Sequence, residues 1–205
     1  MKTGYFITFE GPEGSGKSTQ IRNAVAFLKK RGRSVVMLRE PGGTRISEAI
    51  RGILLDKKNK EMTHVTELLL YLAARAQIVR EKILPALKKG KVVISDRFED
   101  STRAYQGFGR KISLAAIEEA SLLVRGPLKP DLTFVLDIDI TKGLKRGGRH
   151  DRIEREALCF HERVRRGFLM LAKKEPLRMV VLDTSKPADW VGQKVRERLE
   201  RVFGQ

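Results

Sequence analysis

Residues near the start of the chain, Gly11-Pro12-Glu13-Gly14-Ser15-Gly16-Lys17-Ser18, have the types and spacing for phosphate chemistry. Gly, four residues, then Gly-Lys-Ser/Thr is the Walker A pattern. Glycine tolerates backbone conformations that aim successive N–H groups inward at phosphate oxygens. A helix opening at Ser18-Thr19-Gln20 adds its positive end. In such a loop Lys17 reaches the β and γ phosphates of ATP, and the Ser18 hydroxyl ligates Mg2+. Gly11, Pro12, Glu13, Gly14, Ser15, Gly16, Lys17, Ser18 and Thr19 are therefore the candidate ATP-binding residues. The same chemistry needs a carboxylate at the end of a neighbouring strand. Val92-Val93-Ile94-Ser95-Asp96 is an apolar run ending in Asp, so Asp96 and Ser18 are the candidate metal residues.

Two further polar loops follow apolar runs, where open parallel sheets bind ligands. Asp96-Arg97-Phe98-Glu99-Asp100-Ser101-Thr102-Arg103-Ala104-Tyr105-Gln106-Gly107 is one. Arg39-Glu40-Pro41-Gly42-Gly43-Thr44 is the other, with Arg51 in the helix beyond. A basic stretch, 142–155, gathers Lys145, Arg146, Arg149, Arg152 and Arg155 around Gly147-Gly148. Solvated loops are the plain alternative for all three.

These groups need a scaffold. Apolar runs at 5–9, 34–38, 92–95, 132–137 and 179–182 read as strands. Helix-period segments at 18–30, 47–55, 65–88, 115–124, 153–173 and 190–202 alternate with them. The runs do not alternate cleanly with polar residues, as expected when both sheet faces are covered. Strand–helix alternation implies an α/β fold with a mostly parallel sheet and helices on both sides. The segment 65–88 is apolar on more than one stripe, so it is buried on several sides or contacts a second subunit.

Composition bounds the class. The chain has 205 residues, 42 Lys and Arg against 25 Asp and Glu, and a net charge of +17. That length suits a single domain, 1–205, burying roughly 70% of its unfolded surface. With 41% hydrophobic and 33% charged residues it is neither disordered nor membrane-spanning. It opens directly into a strand pattern without a secretory signal, and its one cysteine, Cys159, cannot form an internal disulfide. Both features favour the cytoplasm.

Four blocks taken in order make the reading sharper. They are the phosphate loop, the Arg39-Glu40-Pro41-Gly42-Gly43-Thr44 loop, the Asp96-Arg97-Phe98…Tyr105-Gln106-Gly107 loop and Asp151-Arg152-Ile153-Glu154. Through them the sequence resembles the bacterial type of the thymidylate kinase family over nearly its whole length. The resemblance implies a three-layer P-loop kinase fold: a five-stranded parallel sheet, helices on both faces and a short mobile lid at about 142–155. It implies phosphate transfer from ATP, with Mg2+, to dTMP, a step toward dTTP. It also implies a homodimer.

The resemblance assigns roles residue by residue. Tyr71 stacks on the thymine, where the family usually has Phe, and Arg75 donates to the thymine O4. Ser101, Thr102 and Gln106 belong to the substrate set near the base. Tyr105 lies under the sugar and crowds out a 2′-hydroxyl. Arg51 and Arg97 hold the dTMP phosphate. Lys17, Arg97, the lid arginines Arg146, Arg149 and Arg152, and Glu13 form the catalytic set. Pro12, Glu13 and Ser15 are not basic, which fits the type whose catalytic arginines sit in the lid. Glu13 holds either the 3′-hydroxyl or a metal-bound water. Read without the family, Tyr71 and Arg75 share one helix face and are equally a packed tyrosine and a snorkelling arginine.

Other readings stay open at this point. One is a nucleoside monophosphate kinase with a different base choice. Another is a P-loop NTPase that uses its charge to bind nucleic acid, although 6% aromatic residues leave little for a stacking surface. Neither a specific nucleic acid nor a membrane is expected as a partner. Two bound nucleotides carry roughly six negative charges, well short of +17. His64, His150 and His161 lack metal-ligand spacing. Cys159 is expected to be a small buried hydrophobe and Trp190 an anchor of the last helix.

Overall fold

The computed structural model describes residues 3–147 and 151–204. Five strands, β1 (Tyr5–Glu10), β2 (Val35–Arg39), β3 (Val92–Asp96), β4 (Leu132–Asp137) and β5 (Met179–Asp183), form one sheet in the order β2-β3-β1-β4-β5. Every neighbouring pair is parallel. β1 is the switch point: β3 and β2 lie on one side of it, β4 and β5 on the other. A crevice opens at the carboxyl ends of strands where the order reverses. The register sets Phe9 beside Asp96 and Glu10 beside Val135, so the phosphate loop leaves β1 next to Asp96.

The strands bury both faces. Ile7, Phe9, Ile94 and Phe134 pack against α1 (Lys17–Lys30) and α9 (Ala188–Phe203). Those helices present Ile21, Ala24 and Leu28, and Val191, Val195 and Leu199, at the spacing of one helix face. On the other face Phe6 and Val93 meet Ile78 of α3 (His64–Ile78), while Val135 meets Phe160, Val164 and Phe168 of α8 (Leu158–Lys174). The edge strands are less covered than their apolar sequences suggested: Met37 on β2 and Val181 on β5 are exposed. An edge strand has a neighbour on one side only.

Local chemistry sets the helix ends. Thr44 caps α2 (Arg45–Leu55) by accepting from Ser47 N at 3.1 Å, and Thr63 caps α3 through Thr66 N at 3.1 Å. The expected helix at 65–88 is interrupted. α3 passes into a π-helical turn, Val79–Ile83, before α4 (Leu84–Lys88). Pro85 explains the break, because it has no N–H for the carbonyl of Glu81 and its ring crowds that carbonyl. The polar loop after β3 is itself helical: α5 (Glu99–Thr102) runs into a second π-helical turn, Arg103–Gly109. α6 (Leu114–Arg125) follows.

The basic stretch also has more structure than expected. α7 (Ile140–Gly147) contains its first part, and α8 begins at Leu158 rather than at 153. Gly147 lies in α7, while Gly148, Arg149 and His150 are outside the described residues. Cys159 is exposed, against expectation. It sits one residue before Phe160, off the 160-164-168 stripe that faces the core. Trp190 likewise precedes the 191-195-199 stripe; it is 39% exposed, with the Lys194 ammonium 5.8 Å from its ring centroid. No helix among the described residues is long and apolar enough to cross a membrane.

Candidate active site

The phosphate loop joins β1 to α1 without a side-chain cap. Gly16 is the N-cap residue at φ 88°, and no side chain there accepts from the first helical N–H groups. Thr19 N donates back to Gly16 O at 3.2 Å, while the N–H groups of Lys17 and Ser18 are left for an anion. Gly14 stands at φ +66°, and a Cβ on it would collide with the carbonyl oxygen of Gly143. Gly143 has its own constraint, since a Cβ there would lie 2.5 Å from the Glu13 carbonyl oxygen. α7 therefore lies directly against the phosphate loop, through glycines on both sides. Gly143 was not among the candidates from the sequence; its i, i+4 spacing with Gly147 was the available signal.

Two cavities meet at this loop. The first is lined by the loop residues 13–19 together with Arg39, Glu40, Arg51, Asp96, Arg97 and Arg146. The second lies beyond it between α2, α3, α5 and the turn 151–154. Tyr71, Arg75, Ser101, Thr102, Tyr105 and Gln106 line it, with Leu55, Phe98 and Ile153 as apolar wall. An apolar wall with a few convergent polar groups suits a small organic ligand. Glu13, Glu40, Arg51 and Arg97 line both cavities and form their common wall. The first cavity thus converges Lys17, Arg39, Arg51, Arg97 and Arg146 on one space, an arrangement that favours a multiply charged anion.

Arg97 is the pivot of that wall. Its φ of 71° is unusual for a residue with a Cβ. Its backbone is held by Arg97 N donating to Phe9 O at 3.0 Å and by Ser95 Oγ donating to Arg97 O at 2.8 Å. Its guanidinium donates to Glu13 Oε2 at 2.7 Å, to Gly11 O at 3.0 Å and to Ser101 Oγ at 3.1 Å. Glu13 accepts in addition from the Tyr105 hydroxyl at 2.7 Å. Burial pushes the Glu13 carboxyl up, but Arg97, Lys17 and the Tyr105 hydrogen bond outweigh it and bring it down to about 2.

Lys17 is buried and donates to Pro12 O at 2.8 Å and to Gly11 O at 3.1 Å. Burial, with Arg97 nearby, lowers its ammonium to about 8. Glu10, at the end of β1, is fully buried and accepts from Phe98 N at 2.8 Å and from Ser101 Oγ at 2.6 Å. Burial and the neighbouring Asp100 push its carboxyl up to about 8. Glu10 therefore supports the strand-end loop from below. An acidic residue at the end of an apolar run is the one local sign of this role.

Arg75 is 2% exposed and already committed on two nitrogens. Nε donates to Glu40 Oε2 at 2.8 Å and Nη1 to Thr102 Oγ1 at 2.8 Å, with the guanidinium 5.0 Å from the centroid of Phe98. Nη2 makes no hydrogen bond among the described residues and remains a donor at the cavity wall. Glu40, in the second polar block, is thus the buried counter-ion of Arg75. Arg51 donates to Pro41 O at 2.8 Å, which braces it across the same block. Burial, with Arg39 close by, lowers the Arg51 guanidinium below its ordinary value.

The basic stretch divides. Arg146 lines the phosphate cavity and donates to Thr184 O at 3.5 Å. Arg152 does not line it. Its Nη2 donates to Glu67 Oε2 at 2.6 Å and its Nε to Leu54 O at 3.0 Å, on the side of the second cavity. Arg149 lies outside the described residues. No group of three or more His, Cys, Asp or Glu among the described residues could cage a metal. A cation arriving with phosphates has a place nonetheless. Asp96 Oδ1 is buried with no hydrogen-bond partner among the described residues, and Asp96 and Ser18 line one cavity. A carboxyl oxygen and a hydroxyl suit a hard cation such as Mg2+.

Comparison with known proteins fits this geometry. The family model for thymidylate kinase matches residues 9–195. A thymidylate kinase of Geobacter sulfurreducens is 53% identical over 189 residues, covering 88% of this chain and 89% of the relative. One from Desulforudis audaxviator is 48% identical over 204 residues, covering 98% and 92%. The crystal structure of thymidylate kinase from Ehrlichia chaffeensis superposes with a TM-score of 0.79 at 37% identity, over 96% of this chain and 98% of that one. With a family model matching residues 9–195 and relatives that match over nearly the whole length in sequence and in structure, the chain belongs to the thymidylate kinase family.

Proposed function

We propose that ATP occupies the phosphate-loop cavity and dTMP the second cavity, and that the phosphoryl group crosses at their common wall. As a member of its family the chain is a kinase that phosphorylates dTMP, a step in nucleotide biosynthesis. The observation that carries the assignment is the wall of Glu13, Glu40, Arg51 and Arg97 shared by the two cavities. A phosphate oxygen of dTMP, ionised near neutral pH, attacks the γ-phosphorus in line, so no strong general base is required. The protein positions the reactants and spreads charge.

In this reading Tyr71 stacks on the thymine and Nη2 of Arg75 donates to its O4. Ser101, Thr102 and Gln106 border the base, and Tyr105, held by Glu13, borders the sugar. Arg51 and Arg97 take the dTMP phosphate. Lys17 and the loop N–H groups take the ATP phosphates, and Arg146 is the lid arginine assigned to the transferred group. When bound, Mg2+ would neutralise part of the phosphate charge, and Ser18 and Asp96 are the residues that would hold it. The segment at 142–155 acts as a lid that keeps water out during transfer.

The setting is the cytoplasm, and the working form is a homodimer. Val65 and Leu69 on α3, and Leu122 and Leu123 on the adjoining α6, are apolar and exposed; Leu123 is 87% exposed, which suits contact with a second copy. The test of the function is turnover of dTMP by purified protein with ATP and Mg2+. Lys17→Ala should abolish it while dTMP still binds.

A further inference from the structure

We propose that Glu67 is the positioning residue of the base pocket: it fixes the Gln106 amide as an acceptor toward the pyrimidine and fastens the turn 151–156 over that pocket. The proposal rests on the assignment of the second cavity to dTMP. Glu67 lies on α3 one turn before Tyr71 and two before Arg75, and it is 0% exposed. Its Oε1 accepts from Gln106 Nε2 at 2.9 Å and from Arg110 Nε at 3.0 Å. Its Oε2 accepts from Arg110 Nη2 at 2.9 Å and from Arg152 Nη2 at 2.6 Å. Three donor side chains from three segments converge on one carboxylate.

The consequence for Gln106 follows from donor and acceptor chemistry. An ionised carboxylate only accepts, so the Gln106 group that faces it is the NH2. Burial works against ionisation here, but Arg110, Gln106 and Arg152 together hold the Glu67 carboxyl below its ordinary value. Gln106 lines the cavity, and its remaining polar atom, Oε1, is an acceptor. An acceptor matches the N3–H of thymine and opposes the N3 lone pair of cytosine. Glu67 thereby sets a preference at an atom it does not touch.

The consequence for the turn follows from its two ends. Arg152 is tied to Glu67 directly, and its N–H donates to Leu55 O at 3.3 Å. Glu156 pairs with Arg110 at 2.7 Å, and Arg110 pairs with Glu67. Ile153 and Glu154, between those ends, form part of the cavity wall. Arg152 is in this view a fastener of the turn and not a clamp on the transferred phosphate.

Steady-state kinetics and amide hydrogen exchange on the full-length protein test this. Glu67→Gln keeps the shape and removes the charge. The KM for dTMP should rise about tenfold, by more than kcat falls, with the KM for ATP unchanged. The dTMP-over-dCMP ratio of kcat/KM should fall about tenfold, as expected for one misdirected hydrogen bond. Arg152→Ala should raise the KM for dTMP and speed exchange over 151–156 in the ligand-free protein. A folded Glu67→Gln protein with a lower melting temperature but unchanged dTMP KM and selectivity overturns the proposal. So does Arg152→Ala that lowers kcat alone with exchange unchanged. Should Glu67→Gln fail to fold, Arg152→Ala decides by the same criteria. Wild-type protein that turns over no dTMP overturns the substrate assignment instead, and the exchange comparison, which needs no substrate, still tests the turn.

Discussion

Arg97 and Glu13 are joined Nη2 to Oε2 at 2.7 Å, tying the end of β3 to the phosphate loop. The pair lines both cavities, so in the proposed arrangement it sets the position of a cation within reach of both nucleotides. The Tyr105 hydroxyl on the other oxygen of Glu13 extends the tie to the second cavity. Glu13→Gln keeps an acceptor for Tyr105 but gives up the charge. Its kcat/KM for dTMP should fall about 10- to 100-fold, and Glu13→Ala should fall further. An unchanged kcat/KM in Glu13→Ala would show that Arg97 needs no such partner.

Lys17 gives a pH signature. Its ammonium is lowered to about 8 by burial and by Arg97, in the absence of phosphate. Bound phosphates stabilise the charged form and so raise that value. At pH 8.5 the ligand-free protein is partly deprotonated there, and ATP binding should take up a fraction of a proton. Calorimetry in buffers of different ionisation enthalpy measures this directly. Proton release, or no proton exchange across pH 7.5–9, would contradict the placement of Lys17 on the phosphates.

Glu10 gives a second pH signature, of stability. Its carboxyl is raised to about 8 in the folded chain by burial and Asp100, against about 4.3 when exposed. The native state therefore binds more protons between those values, and this group's contribution falls as pH rises through that window and levels off above it. Glu10→Gln mimics the neutral form and can still serve Phe98 N and Ser101. The variant should lose less stability than wild type between pH 5 and pH 8 in denaturant titrations. Equal pH slopes would mean that Glu10 is ionised in the native state.

Arg75 and Glu40 form an ion pair with 2% and 3% of their side chains exposed. Removing one partner of such a pair leaves a buried charge uncompensated, typically at about 3–5 kcal/mol. Glu40→Ala should lower Tm by about 10 °C on that basis, and it should raise the KM for dTMP through a displaced Arg75. A Tm unchanged within about 2 °C would mean that water reaches the site and compensates the charge.

The parts of this site that are contiguous in sequence were legible there. The phosphate loop, Asp96 and the block at 39–44 each declare themselves within a few residues, because backbone geometry and one cation make the chemistry. The strand–helix alternation likewise carried the parallel sheet. What escaped was made by partners far apart in the chain. Glu67 meets Gln106, Arg110 and Arg152 only after folding, and no periodicity marks it as different from any other helical Glu. Gly14 has no room for a Cβ beside the Gly143 carbonyl, nor Gly143 beside the Glu13 carbonyl, and these contacts too arise only on folding. The break in 65–88 was carried by Pro85, a local signal outweighed by the continuous apolar pattern around it. The exposure of Cys159 and Trp190 follows from lying one position off an apolar stripe, which residue type and apolar neighbours do not reveal.

The central claim is that the second cavity selects thymidine monophosphate. The most direct measurement offers purified protein, ATP and Mg2+ a panel of dTMP, dUMP, dCMP, dGMP and UMP, and follows diphosphate formation from each. With Tyr71 stacking on the base, Arg75 donating to O4 and Gln106 accepting from N3–H as proposed, dTMP should be turned over with a much higher kcat/KM than dCMP, which presents the opposite donor and acceptor pattern, and Tyr105 under the sugar should disfavour UMP. Absence of dTMP turnover, or equal turnover of all five, would contradict it.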